Sequence, residues 1–259
     1  MAAEFTGGGD TGRSIALLWR VPGPARRGPK PRYSVETVVQ AAISLADSEG
    51  LAALSMRRVA EMLQLSAMSL YTYVPSKAEL MDLMLDHVAG EIAEPEPCAA
   101  GDWRAQLTQL SRQRWQMAQR HPWIMQVAMH RPPLGPNVLA KVEATLRAVD
   151  GLGLSEMDMD QLTALVGDYV SGAVRAALDA RDVERKTGMT DEQWWSQNAP
   201  LLAGLVEPGR YPTIVRIGEA YKSGRISPPD HERNFEFGLQ RVLDGIEAFI
   251  AKRRAAGAA

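Results

Sequence analysis

Serine stands four times, at 34, 55, 66 and 76, immediately ahead of a stretch whose apolar residues recur with helical spacing. A serine hydroxyl in that position accepts from a backbone N–H in the first turn, so each serine marks a helix start. Four starts between 34 and 76 leave room only for short helices packed through local contacts. After Ser34, residues Val35, Val38, Val39, Ala42, Leu45 and Ala46 form one stripe, and Gly50 is the expected stop. After Ser55, residues Val59, Met62 and Leu63 face inward. Gln64–Leu65–Ser66 is a turn, and Ser66 opens a third helix, expected to run two turns before Pro75. Ser76 and Glu79 have the spacing of a capping box. The fourth helix that they open carries Leu80, Leu83, Met84, His87 and Val88 on one side.

From Trp103 onward the same period continues, and no run alternates as a half-buried strand would. Helices are expected near 102–120, 122–130, 137–150, 156–186, 190–203, 211–222 and 232–254. The connectors RPPLGP, DGLGLS, EPGRYP and GRISPPD carry turn chemistry. The fold class is therefore all-α: a small N-terminal unit with a three-helix helix-turn-helix arrangement, and a larger helical body. The divisions expected are a flexible basic arm over 1–33, the small unit over 34–80, the body over 81–254 and a disordered tail over 255–259. PGPARRGPKPR (22–32) cannot be a helix, whereas GRSIALLWR (12–20) is a short apolar patch able to dock.

The chain of 259 residues has 46% apolar content, enough for a sizeable core. Its one cysteine, Cys98, rules out an internal disulfide and a cysteine-built zinc site, and suits a reducing cytoplasm. No apolar run approaches the ~20 residues that span a bilayer, and the acidic, glycine-rich start does not resemble a signal peptide. Cytoplasmic location without a membrane partner is the expectation. The net charge of −2 hides an asymmetry, because residues 1–77 carry nine basic and six acidic side chains and the remainder is acidic. Between Asp10 and Glu36 there are six basic residues and no acid. A positive end on an acidic body suits an anionic partner.

The third helix narrows the choice. With Leu70 and Val74 inward, Met68 and Thr72 point outward beside Ser69, and Tyr71 and Tyr73 lie on the two flanks. An αα-hairpin in a bundle has the same spacing but gives that outward face no purpose. In a DNA groove, hydroxyls bond base edges, methyl groups meet thymine, and tyrosine hydroxyls reach phosphates. Arg57 and Arg58 from the second helix and Lys77 from the start of the fourth are expected as further phosphate contacts. The basic strip 26–32 suits a minor-groove contact, with Arg26 and Arg27 the best candidates. A helical module that binds another protein through the 66–74 face is the competing reading. Enzymatic activity is not expected. His87, His121, His130 and His231 are scattered without metal-ligand spacing, no nucleophile motif or phosphate loop is present, and no cofactor is implied.

SMRRVAEMLQLSAMSLYTYVPSKAELMDLML (55–85) resembles the DNA-binding unit of the tetracycline-repressor (TetR) family, and NFEFGLQRVLDGIEAFIA (234–251) resembles the last helix of its C-terminal domain. The resemblance implies a homodimeric repressor of a palindromic double-stranded operator, released by a small-molecule inducer that is largely apolar. It implies phosphate contacts from Tyr71 and Lys77, with Arg57, Met68, Ser69, Thr72 and Tyr73 facing bases or groove edges. It places the 156–186 and terminal helices of two subunits in a four-helix interface, with small residues Gly167, Ser171, Gly172, Gly238 and Gly245 beside their apolar stripes. By the same analogy Trp115, Trp123, Met129, His130, Tyr169 and Trp194 are the ligand-pocket candidates. One departure is Gln64, where the family often has glycine in the turn.

Overall fold

The computed structural model describes residues 4–6, 8–21, 32–94, 102–128, 131–227 and 230–257. All four serine caps form. Ser34 opens α2 (Val35–Glu49), Ser55 opens α3 (Met56–Met62), Ser66 opens α4 (Ala67–Leu70) and Ser76 opens α5 (Lys77–Ala89), each accepting from a first-turn backbone N–H. The body consists of α6 (Trp103–Arg120), α7 (Pro136–Val149), α8 (Glu156–Thr187), α9 (Asp191–Ala203), α10 (Pro212–Lys222) and α11 (His231–Gly257).

Two apolar cores organise these helices. The first gathers Val38, Ala42, Leu45, Val59, Leu70, Val74, Leu80 and Met84 from α2 to α5, and extends to Val88, Trp123 and Val127. A division at residue 80 therefore cuts through α5, whose inner face belongs to the core of the small unit along its whole length. The second core joins α6, α8 and α11 through Leu107, Trp115, Val166, Val170, Val174, Phe235, Leu239 and Leu243. Helices α9 and α10 carry no buried residue.

Several expectations give way. Residues 11–18 are not part of a flexible arm. They form α1 (Thr11–Leu18), which packs on α5 and places Leu18 in the first core. Ahead of it β1 (Glu4–Phe5) pairs in parallel with β2 (Val127–Ala128), a two-residue exception in an otherwise helical chain. A helix over 122–130 is replaced by a 3-10 turn at Pro122–Gln126 leading into β2, because Pro122 and the pairing with β1 draw the backbone out of α geometry. The terminal helix continues to Gly257, leaving little of a disordered tail among the described residues. The Ser76 hydroxyl caps Ala78 N–H and bonds the Glu79 carboxylate, while Glu79 also accepts from Asp10 N–H. The reciprocal capping box is thus replaced by a tie to the N-terminal segment.

Candidate nucleic-acid interface

The turn before α4 is made by Gln64 at φ 55°, the left-handed region in which glycine is the usual occupant. Its cost, about 1 kcal/mol, is met because Leu63 and Leu65 on either side are held by the first core and by the Leu65 N–H bond to Ala60. Helix α4 is shorter than two turns. Its hydrogen bonding tightens after Leu70, with Thr72 and Tyr73 donating to Ser69 and Leu70. Leu70 and Val74 are fully buried, which fixes the roll of this segment and turns Met68, Tyr71 and Thr72 to solvent.

Met68 is the most exposed of these at 76%, and Tyr71 is 44% exposed. Ser69 is half-buried, with its hydroxyl engaged by Ser66, and the Thr72 hydroxyl donates to Ser69 O. Tyr73, expected on the outward face, is half-buried against the first core, and its hydroxyl accepts from Tyr33 N–H at 3.3 Å. It thereby fixes the chain at the entry to α2, with the Arg32 guanidinium over the Tyr33 ring. Arg57 is exposed and shares a surface ion pair with Glu61 on its own helix. Arg58, expected beside Arg57 as a phosphate contact, is instead held in a two-pronged pair by Glu49, tying α3 to α2. Lys77 is half-buried at the first position of α5. Arg26 and Arg27 lie outside the described residues.

Three joints bind this unit to the body. The His121 imidazole stands between Asp47 of α2 (Nδ1 to Oδ1, 2.8 Å) and Glu91 beyond α5 (Nε2 to Oε1, 3.0 Å). Trp123 donates its indole N–H to the same Asp47 oxygen at 2.7 Å. At the second joint, α7 has Gly135 at its N-cap and takes its capping oxygen from α5. The buried Asp86 carboxylate accepts from Val138 N–H at 2.9 Å and from the Asn137 amide at 3.2 Å. A Cβ at Gly135 would stand 2.2 Å from Asp86 Oδ1, so this close docking requires glycine. Burial pushes the Asp86 carboxyl above the usual range, with the Val138 and Asn137 hydrogen bonds pulling the other way. The third joint is the N-terminal strap, where β1 pairs with β2 and Trp19 donates to Leu134 O at 2.9 Å. The sequence reading missed Asp47, Asp86 and Glu91, because an acidic side chain on a surface helix gives no local sign of a distant partner.

Of the expected pocket residues that are described, Trp115 and Tyr169 converge, whereas Trp123 and Trp194 stand elsewhere. Trp115 stacks on Phe235 at 4.5 Å between ring centres, and Tyr169 flanks the same ring at 6.1 Å. Tyr169 also donates to Phe235 O at 2.7 Å. Trp123 belongs instead to the core of the small unit, where its N–H bond to Asp47 explains its burial. Trp194 lies on exposed α9, bordering a shallow groove with Val183, Thr187 and Met189. Met129 and His130 lie outside the described residues.

Comparison with known proteins supplies the class. Residues 38–84 match the model for bacterial regulatory proteins of the tetR family, and residues 94–250 match the tetracyclin repressor-like C-terminal domain. The chain belongs to the tetracycline-repressor (TetR) family. As a TetR-family protein it is a DNA-binding transcriptional regulator and not an enzyme. It is 41% identical to the HTH-type transcriptional repressor DrrR1 of Streptomyces coeruleorubidus, over 98% of this chain and 92% of that protein. It is 26% identical to the HTH-type transcriptional repressor Rv1353c of Mycobacterium tuberculosis, over 91% of this chain and 89% of that one. Among solved structures, apo ActR from Streptomyces coelicolor superposes with a TM-score of 0.70 at 28% identity, covering 87% of this chain and 99% of ActR. ActR in complex with actinorhodin gives 0.69 at 29% identity, covering 86% and 99%. Among the described residues no helix is long and apolar enough to cross a membrane.

Proposed function

We propose that this TetR-family regulator is a cytoplasmic homodimeric repressor that reads a palindromic operator through α4 and leaves it when a small, largely apolar ligand enters the body. The observation that carries the reading is the outward turn of Met68, Tyr71 and Thr72 over a buried Leu70 and Val74. Met68 and Thr72 present methyl and hydroxyl groups to base edges, with Ser69 and Arg57 at the margin. Tyr71 and Lys77 take phosphates, and Arg26 and Arg27 reach the flanking minor groove. Tyr73 works from behind, holding the entry to α2. Repression as the sign of control is supported by the relatives named repressors, and release by a ligand is supported by ActR with actinorhodin.

The dimer is carried by the outer faces of α8 and α11. Gly167 and Gly238 are inward, against Arg114 and Tyr169, whereas nothing stands beside Gly172 and Gly245. Leu165 and Phe237 are exposed on the same two helices. This outer surface suits helices of a second copy at close approach.

Fluorescence anisotropy on a fragment of the regulator's own promoter region tests the DNA contacts. Tyr71→Phe with Lys77→Ala is expected to weaken binding about tenfold or more, and to flatten the log-affinity versus log-salt slope by roughly 1 per half-site, since only Lys77 carries a charge. Unchanged affinity and slope would contradict the phosphate assignment.

A further inference from the structure

Helix α6 carries four arginines, and three of them are paired. Arg104 meets Asp244 and Glu247, Arg112 meets Glu236, and Arg120 meets Glu91. Arg114 is different. Among the described residues it makes no hydrogen bond or ion pair, and its guanidinium points at α8, with Nη1 3.5 Å from where a Cβ on Gly167 would stand. Protein surrounds it on nearly every side, yet part of its surface is accessible. Burial pushes the guanidinium below its ordinary value, and no carboxylate offsets that.

A second polar group stands beside it. Ser111, one turn earlier at i−3, is 1% exposed, and its hydroxyl has no partner. The same face of α6 carries Leu107, Leu110 and Ala118, all buried in apolar clusters of the body. An arginine cannot shed its proton, so a buried one without a counter-charge is costly. The cost is removed if the missing charge arrives with a ligand.

We propose that Arg114, assisted by Ser111, is the counter-charge for a carboxylate or acidic phenolate on the ligand that enters the body. This rests on the ligand-release reading above and narrows it, because the ligand is an apolar acid and not a neutral apolar molecule. Gly167, having no side chain, lets the guanidinium lie close against α8, and its unpaired N–H groups can offer a planar anion two parallel hydrogen bonds.

The test uses a panel of bicyclic and tricyclic aromatic acids, 9-anthracenecarboxylic acid among them, each paired with its neutral amide. Binding to the full chain is followed by titration calorimetry and by the melting temperature. Wild type is expected to prefer the acid in the pairs that bind, and Arg114→Met to weaken the acids about tenfold or more while binding the amides unchanged. Unliganded Arg114→Met is expected to melt at or above wild type, since it removes an unpaired buried cation. Equal binding of acids and amides by wild type, or an acid preference kept by Arg114→Met, overturns this inference and leaves ligand release standing. Binding by no member of the panel overturns both. A sharp loss of melting temperature in both Arg114→Met and Arg114→Gln shows a structural role and also overturns it.

Discussion

Asp86 shows how much a single side chain can join. It sits on α5, whose inner face is part of the DNA-reading unit, yet its carboxylate caps the first helical turn of α7 in the body. Burial raises its pKa above the ordinary 3.8. The folded state therefore holds the proton more tightly than the unfolded one. Asp86 contributes its stabilisation below about pH 3.8 and loses it as pH rises through the folded value. Asp86→Asn keeps an oxygen for Val138 N–H and has no charge to bury. Its melting temperature, measured against wild type across the acid range, is expected to gain on wild type as pH rises from about 4 toward 7. A difference independent of pH would show that the carboxylate pays no burial cost. Gln64 carries a second single-residue lesson. Its left-handed φ is what the turn demands, and the flanking Leu63 and Leu65 hold it there in the absence of glycine.

At the scale of elements, the N-terminal strap separates two readings of the chain. A flexible arm would leave Leu18 in water, whereas α1 on α5 buries it to 5%. Leu18→Ala is expected to cost about 2–4 kcal/mol in urea unfolding. An unchanged midpoint would mean that the strap is not docked. The serine caps, the stripe of α2 and helices α6 to α9 were legible because each is written in consecutive residues, whereas the helix expected over 122–130 did not form. Ser34, Ser55, Ser66 and Ser76 fix starts with one hydroxyl apiece, and the 3.6-residue period fixes the inner face, although Met62, expected inward on α3, is exposed. What was not legible depended on partners far away in sequence. Tyr73 has the alternation of an outward residue until Tyr33 is placed beside it, and Arg58 looks like Arg57 until Glu49 arrives. Trp123 reads as pocket lining until Asp47 accepts its N–H. The strand pair and α1 were hidden for the same reason, since two residues of β1 gain their meaning from Val127 and Ala128.

Over the whole molecule, the joints give ligand release a physical route. The body cannot shift α7 without moving its imported cap on α5, and α5 is built into the core behind α4. His121 adds a clamp from the end of α6 to α2, and the strap adds another from β2 to α5. The small unit that carries the exposed face of α4 is therefore tied to the body by these contacts. Family membership makes the chain a DNA-binding regulator, and the paired reading heads of a two-fold dimer give that regulator its symmetry. The most direct measurement is selection of bound sequences from a random double-stranded DNA pool with the full-length protein, followed by sequencing. The account predicts an inverted repeat whose half-sites are related by two-fold symmetry, and loss of enrichment when Tyr71→Phe and Lys77→Ala are combined. Enrichment of a single asymmetric site, or no enrichment over the input pool, would contradict it.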